Sequence, residues 1–352
     1  MTKVLISEME PNQDIATCLV VMEKQLRTAR NGTLFLTLKL LDKTGEITGR
    51  VWENAEEVCN AVPVKTAVFL RGRSEKYREE LQLNIREIRP LETDEVDASD
   101  FLPACPVEPG VLFEGLQKIL GTVKRRSLRQ LSTAFLSDQS LMKRFRIAPA
   151  AKSMHHAYLG GLLEHTLGVT RLVSELCELY PVLDRDQLLV GAFLHDIGKI
   201  DEFVYDLFID YSDAGRLLGH MVLGVEILEK KSRTLKTPHH EEMRALKHLI
   251  LSHHGEAEFG AVKPPMTREA FVLHAADDLD AKLNFLGRIL EAPGDPGQLW
   301  TGYQPLFDRF FYRGAPFPAE RKPSPGKAGP EEGITQLSLW ADNRQKSPHE
   351  SS

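Results

Sequence analysis

Residues 194–199 read Leu-His-Asp-Ile-Gly-Lys. Before them, Leu188, Leu189, Val190, Ala192, Phe193 and Leu194 are apolar with no polar face. That pattern predicts a helix buried almost all round, ending at Gly198. A His-Asp pair at the end of a buried helix is expensive to desolvate, and binding a cation is one way to offset the cost. Taken alone, the pair reads better as a hydrogen-bonded core histidine beside an ion-paired aspartate.

The pair is not alone. The chain has twelve histidines, and most lie between His155 and His274. Gly161-Leu162-Leu163-Glu164-His165 opens a second apolar helix, and Gly219-His220 opens a third. Ser252-His253-His254-Gly255 ends a fourth, and a fifth carries Ala276-Asp277-Asp278-Leu279-Asp280-Ala281. Imidazoles mixed with carboxylates on separate helices suit manganese, iron, cobalt, nickel or zinc rather than a calcium cage. Four scattered cysteines, Cys18, Cys59, Cys105 and Cys177, contain no C-x-x-C pair. They exclude a disulfide framework and a cysteine zinc site, and they fit a reducing compartment.

From Val111 to about Phe311 the period is helical. Upstream the pattern is different. Ile15–Glu23 is an apolar β-branched run, followed by the turn signal Asn31-Gly32. Leu34, Leu36, Leu38 and Leu40 then alternate with Phe35, Thr37 and Lys39, and Ile47, Gly49 and Val51 with Thr48, Arg50 and Trp52. A short helix over Glu53–Val62 and two strands, Ala67–Arg73 and Leu81–Ile88, complete the set. Five strands with a helix between the third and fourth is the order of a small Greek-key barrel, the OB-fold. The expected organisation is therefore multidomain, β followed by all-α: a five-stranded barrel at 1–90, an acidic, Pro-containing linker at 91–110, a helical bundle at 111–313, and a disordered Pro/Gly/Ser-rich tail at 314–352.

With Leu34, Leu36 and Leu38 turned inward, Phe35, Lys39, Arg50 and Trp52 face out together. Arg71, Arg73 and Tyr77 lie on or near the turn between the last two strands, and Lys24, Arg27 and Arg30 precede Asn31. An aromatic and basic face on strands two and three is where such barrels stack bases and track phosphates. A second basic stretch, Lys124–Lys152, carries eight Lys or Arg against Asp138 alone, in a chain of net charge −6. It would draw a polyanion towards the histidines. The net charge argues against a protein that coats nucleic acid all over. The acidic N-terminus has no apolar leader, and no run approaches the ~18 apolar residues of a membrane span. The chain reads as cytoplasmic, with no membrane partner.

The helical motifs resemble the HD superfamily of metal-dependent phosphohydrolases, whose pattern is a single His, a His-Asp dyad and a distant Asp. His165, His195-Asp196 and Asp277 match in order. Asp277 is chosen over Asp278 and Asp280 because Ala276–Ala281 matches the family's Ala-Asp-x-x-Asp-Ala context. His220, His253 and His254 resemble the additional ligands of subgroups with two or more metals. The resemblance implies an all-helical bundle holding divalent ions, two by expectation. Manganese is the first choice, with iron, cobalt, nickel, zinc and magnesium as alternatives. Asp196 would bridge them, with His165, His195 and Asp277 around one ion and His220, His253 and His254 around the other. It also implies a water activated by the ions as nucleophile, and Lys199 as a point cation on the phosphoryl group. His156, just before the Gly160-Gly161 turn, is expected at the mouth of the site as a substrate contact. His239 and His240 read as a helix start, and His248 and His274 as ordinary helix residues.

Barrel, linker, His155-His156-Ala157-Tyr158 and His195–Lys199 together resemble the YhaM-type 3′–5′ exoribonucleases of bacteria over roughly residues 10–312. That implies hydrolysis of single-stranded RNA from the 3′ end, single-stranded DNA as a further substrate, and a homo-oligomer. Gln336-Leu337-Ser338-Leu339-Trp340 resembles the bacterial sliding-clamp-binding peptide; a five-residue match arises readily by chance. Two other readings stand beside the nuclease. One is an HD phosphohydrolase of small nucleotides or cyclic dinucleotides; the other is a non-catalytic nucleic-acid-binding adaptor.

Overall fold

The computed structural model describes residues 4–78, 80–92, 95–96, 100–233, 235, 240–291 and 298–314. Met1–Ala292 form one compact unit and Pro293–Ser352 a second.

Five strands begin the first unit: β1 (Asp14–Thr28), β2 (Leu34–Asp42), β3 (Gly45–Val51), β4 (Thr66–Tyr77) and β5 (Glu80–Pro90), with helix α1 (Ala55–Ala61) between β3 and β4. They close in the order β1-β2-β3-β5-β4, the β3–β5 pair being parallel. One long strand serves two neighbours: Asp14–Val21 of β1 pair with β4, Val20–Thr28 pair with β2, and the register shifts between Val21 and Glu23. Such a bulge bends a strand sharply enough to turn a barrel corner. The alternating leucines fill the interior, where Leu19, Leu36, Leu38, Leu40, Leu70 and Leu83 are fully buried. Leu34 departs from the expected alternation and is exposed at the strand's start. Lys24 is also not on a nucleic-acid face. Its ammonium donates to the carbonyls of Cys59 (2.5 Å) and Val62 (2.9 Å), satisfying the free C-terminal end of α1.

Described residues of the segment read as a linker are packed. Phe101 joins Val20 and Ala67 of the barrel, and Leu102 packs with Phe203 and Ile209. The helical region follows as α2 (Pro109–Leu120), α3 (Arg126–Leu136), α4 (Gln139–Ile147), α5 (Gly161–Leu179), α6 (Arg185–Leu194), α7 (Lys199–Glu202), α8 (Asp213–Ser232), α9 (His240–Ser252) and α10 (Arg268–Glu291). Every residue of α6 from Gln187 to Leu194 is buried, and Phe193 packs edge-on against Phe135 (5.9 Å) and Phe145 (5.8 Å). A helix apolar on all sides is stable only when surrounded, so α6 sits at the centre of this core.

Three differences from the expected pattern have physical reasons. First, α6 stops at Leu194 rather than Gly198, and Gly198 is right-handed (φ −66°). Its lack of a side chain serves packing, not a left-handed cap: a methyl there would collide with the carbonyl of His220 and the amide of Gly224 on α8. Second, a two-stranded hairpin, β6 (Phe203–Val204) with β7 (Asp210–Tyr211), interrupts the helices before α8. Two-residue strands are too short to leave a periodic signal. Third, the helical pattern read to Phe311 ends at Glu291. Residues 298–314, in the second unit, are held by single bridges Trp300–Tyr312 and Gln304–Arg309 around a 3-10 turn, Pro305–Phe307. His239 and the tail motif Gln336–Trp340 lie outside the described residues. No helix among the described residues is long and apolar enough to cross a membrane.

Gly198→Ala is expected to destabilise the chain by about 1–3 kcal/mol, the cost of overpacking a close contact. Urea unfolding followed by circular dichroism checks it.

Candidate metal centre

Five helices bring the motif residues to one point. His165 lies on the first turns of α5, His195 caps α6 with Asp196 next, and His220 follows the break in α8 at Gly219 (φ 71°). His253 and His254 follow the end of α9, and Asp277 and Asp280 lie one turn apart on α10. His165, His195, Asp196 and His253 are almost entirely buried.

The orientation of each imidazole is set by its Nδ1. His195 Nδ1 donates to the carbonyl of Ala192 (2.8 Å), and His253 Nδ1 to that of Ile250 (2.7 Å). His165 Nδ1 faces Asp280 Oδ2 at 2.7 Å, and His220 Nδ1 faces Glu202 Oε1 at 3.0 Å. A ring nitrogen facing a carbonyl can only donate, so Nε2 is the nitrogen turned inward, and it offers a lone pair whenever it carries no proton. There the Nε2 atoms meet each other: His165 to His195 at 3.2 Å, His220 to His253 at 3.4 Å.

Asp196 lies between the two pairs. Its Oδ2 is 3.5 Å from His165 and 3.4 Å from His195. Its Oδ1 is 3.5 Å from His220 and 3.4 Å from His253, and makes no hydrogen bond despite full burial. Asp277 Oδ1 adds a second carboxylate to the first pair, 3.0 Å from His165 and 3.7 Å from His195. His254 lies beside the second, its ring edge-on to His253 at 4.5 Å and tilted to His220 at 5.0 Å. Within each of the sets His165/His195/Asp277 and His220/His253/His254, one ligand atom per residue lies within 4.8 Å of the others. A buried carboxylate oxygen without a donor, flanked by two inward lone pairs, fits a cation. So does a donor set of nitrogen and oxygen without sulfur.

The charges follow from this packing. Burial opposes charge on His195, but Asp196 and Asp277 raise it to about 10. Burial would raise Asp196, yet Lys199 and His195 hold it well below the carboxylate range; Asp277 is likewise low, through His165 and His195. Asp280 is held at about 2 against its burial by hydrogen bonds from His156 and His165. Burial pushes His254 down to about 3, helped by His253 and His220, so its ring is neutral. Lys199 is itself buried, with its ammonium 2.6 Å from Asp196 Oδ2.

His156 is not at the mouth. It is buried, and both ring nitrogens are engaged, Nδ1 by Glu164 (2.9 Å) and Nε2 by Asp280 (3.0 Å). Its neighbour His155 is only half-buried, with its ring 5.7 Å from that of His165. Burial and the nearby Lys199 hold His155 at about 3, neutral. Sequence reading missed the orienting groups. Glu202 and His274, whose Nδ1 donates to the carbonyl of His253 (2.7 Å), belong to no motif. Asp280 was legible as a neighbour of Asp277, and it supports His165 rather than facing solvent. Asp278 is paired with Lys282 on the helix surface.

On the barrel, Phe35, Arg50, Trp52 and Tyr77 form one ladder. Phe35 stacks on Trp52 (4.7 Å, 22°), and Arg50 lies 5.9 Å from the Phe35 ring and 4.8 Å from the Tyr77 ring. Lys39, Arg71 and Arg73 pair elsewhere, with Glu46 (2.9 Å), Glu87 (3.6 Å) and Asp14 (4.0 Å). Half of the cations of the basic stretch Lys124–Lys152 are engaged within the fold, and Lys124, Arg126, Arg129 and Lys143 are exposed. Arg125 pairs with Asp184 and Glu242, Arg144 with Asp201, Lys152 with Asp210, and Arg146 lies over Phe113 at 3.7 Å.

Barrel and histidine cluster together define an OB-fold protein with an HD-type centre. Residues 162–282 match the family model described as HD domain, and residues 18–91 the model described as OB-fold nucleic acid binding domain. The chain is 36% identical over 307 residues to 3′-5′ exoribonuclease YhaM of Bacillus subtilis (strain 168), covering 86% of this chain and 96% of that one. It is 35% identical over 305 residues to the YhaM of Geobacillus sp. (strain WCH70), covering 86% and 93%. Among solved structures, the second OB-fold domain of replication protein A from Methanococcus maripaludis is 23% identical, covering 26% of this chain and 97% of that one, with a TM-score of 0.22. The chain belongs to the YhaM family of 3′–5′ exoribonucleases.

Asp280→Asn weakens the orientation of His165 without removing an inward lone pair. Divalent-cation affinity, measured by calorimetric titration with Mn²⁺ as the probe, is expected to fall about 10- to 100-fold, the usual cost of losing a ligand's supporting group.

Proposed function

We propose that this chain is a 3′–5′ exoribonuclease that hydrolyses single-stranded RNA with the help of two divalent cations, manganese by preference. The observation that carries the reading is Asp196, whose two oxygens face two separate imidazole pairs. Family membership supports it, because the relatives carry that activity in their names. His165, His195 and Asp277 would hold one ion, His220, His253 and His254 the other, with Asp196 shared. When bound, such ions acidify water to near neutrality and withdraw charge from the phosphoryl oxygens.

The chain's own residues do the rest. The Nδ1 partners already orient the rings of His165, His195, His220 and His253, so little reorganisation is needed there. The α6 core excludes water from one side of the centre. Lys199 balances Asp196 and would set a positive charge beside the reacting phosphodiester. The Trp52–Phe35–Arg50–Tyr77 ladder would stack successive bases, which needs no particular sequence and no 2′-hydroxyl. Single-stranded DNA is therefore an expected second substrate. The 3′–5′ direction rests on the relatives.

Purified chain with Mn²⁺ should shorten a 5′-labelled single-stranded RNA from its 3′ end, resolved on a denaturing gel. Chelation should stop the reaction, and Asp196→Asn should slow it by more than about 100-fold, beyond the effect of losing a supporting group alone. Intact RNA beside hydrolysed mononucleotides or cyclic dinucleotides would move the reading to small substrates.

Trp52→Ala should weaken binding of a short fluorescent RNA by about 1–3 kcal/mol, the cost of one stacked base. Anisotropy titration measures it, and kcat at saturating RNA should hold.

A further inference from the structure

One buried carboxylate outside the metal centre collects three cations. Asp210, on β7, has a side chain only 8% exposed, and pairs with Lys65 (2.9 Å), Lys152 (2.8 Å) and Arg216 (2.9 Å). Each cation comes from a different part of the fold. Lys65 belongs to the barrel, in the turn between α1 and β4. Lys152 precedes the His155-His156 loop, and Arg216 lies four residues before His220 on α8. Like charges gather this closely only around a carboxylate that stays ionised, so removing it would leave three cations in mutual repulsion.

The barrel limb of this cluster is built under strain. Lys65 has φ +64°, a left-handed conformation that costs a non-glycine residue energy and persists only where neighbours enforce it. Its amide donates to the carbonyl of Val21 on β1 (2.6 Å), and its ammonium also lies 5.4 Å from the Phe208 ring. Phe208 and Leu207, on the loop of the β6–β7 hairpin, pack with Val20 and Ala67 of the barrel. At its other end the hairpin is rooted at Glu202. The amide of Ser212 donates to the Glu202 carbonyl (2.8 Å), and the Glu202 side chain receives both the amide and Nδ1 of His220.

From this geometry we infer that the β6–β7 hairpin and Asp210 form a latch between barrel and helical domain, and that Lys65 is a positioning residue: it holds the barrel so that a strand bound there is delivered to the metal centre. This rests on the nuclease reading above. A substrate too short to engage the barrel gains nothing from the latch, whereas a long one depends on both surfaces acting as one tethered pair.

The test uses the intact chain as wild type, Lys65→Met and Lys65→Arg. Each is assayed for kcat and KM on a long single-stranded RNA and on a dinucleotide, and by small-angle X-ray scattering. Lys65→Met leaves Lys152 and Arg216 to hold Asp210, so the chain should still fold. It should raise KM for the long RNA on the order of tenfold with kcat held, leave dinucleotide hydrolysis within about twofold, and broaden the interatomic distance distribution. Lys65→Arg should restore all three. An unchanged KM for long RNA, an equal loss on both substrates, or an unaltered scattering profile overturns the latch. If the wild-type chain leaves RNA intact, the nuclease reading fails by itself, and the scattering comparison still decides whether Lys65 joins the domains.

Discussion

The structure is organised around a carboxylate that cannot be neutralised by hydrogen bonds alone. Asp196 is 1% exposed, touches Lys199 through one oxygen and has no hydrogen-bond donor at the other. Four imidazoles converge on it with their Nδ1 atoms already committed outward. Burying such a group costs several kcal/mol unless charge of opposite sign is brought to it. The apolar circumference of α6 makes that burial unavoidable, because the dyad is attached to the one helix that must sit at the centre of the core. Packing therefore creates the electrostatic demand that a cation answers.

The same constraint explains which features were legible in the sequence. A helix with no polar face, and histidines distributed over several apolar helices, leave a signal because each must meet a periodic core. The closed barrel was legible for a similar reason: the alternation of Leu36, Leu38 and Leu40 is imposed by a filled interior. What escaped was set by contacts between elements. Glu202 orients His220 from eighteen residues away. Gly198 looks like a helix cap in sequence, but it is small because α8 passes against it. His156 follows an exposed-looking polar run, yet Glu164 and Asp280 draw it inside. None of these carries a periodicity, so pattern alone could not place them.

Charge shows the distinction most clearly. Read along the chain, Lys124–Lys152 is a strongly basic stretch in a protein of net charge −6, and looks like the surface that would meet a polyanion. In three dimensions three of its eight cations, Arg125, Arg144 and Lys152, answer acids from distant segments: Asp184, Glu242, Asp201 and Asp210. A cation already paired inside the fold adds little to the field felt by an approaching strand. The barrel ladder differs, because its Arg50 lies over the rings of Phe35 and Tyr77, and Trp52 and Tyr77 are exposed. Affinity built on stacking depends less on net charge than affinity built on phosphate contacts alone. A stacking face on the barrel is thus compatible with a net negative chain, part of whose positive charge is paired within the fold.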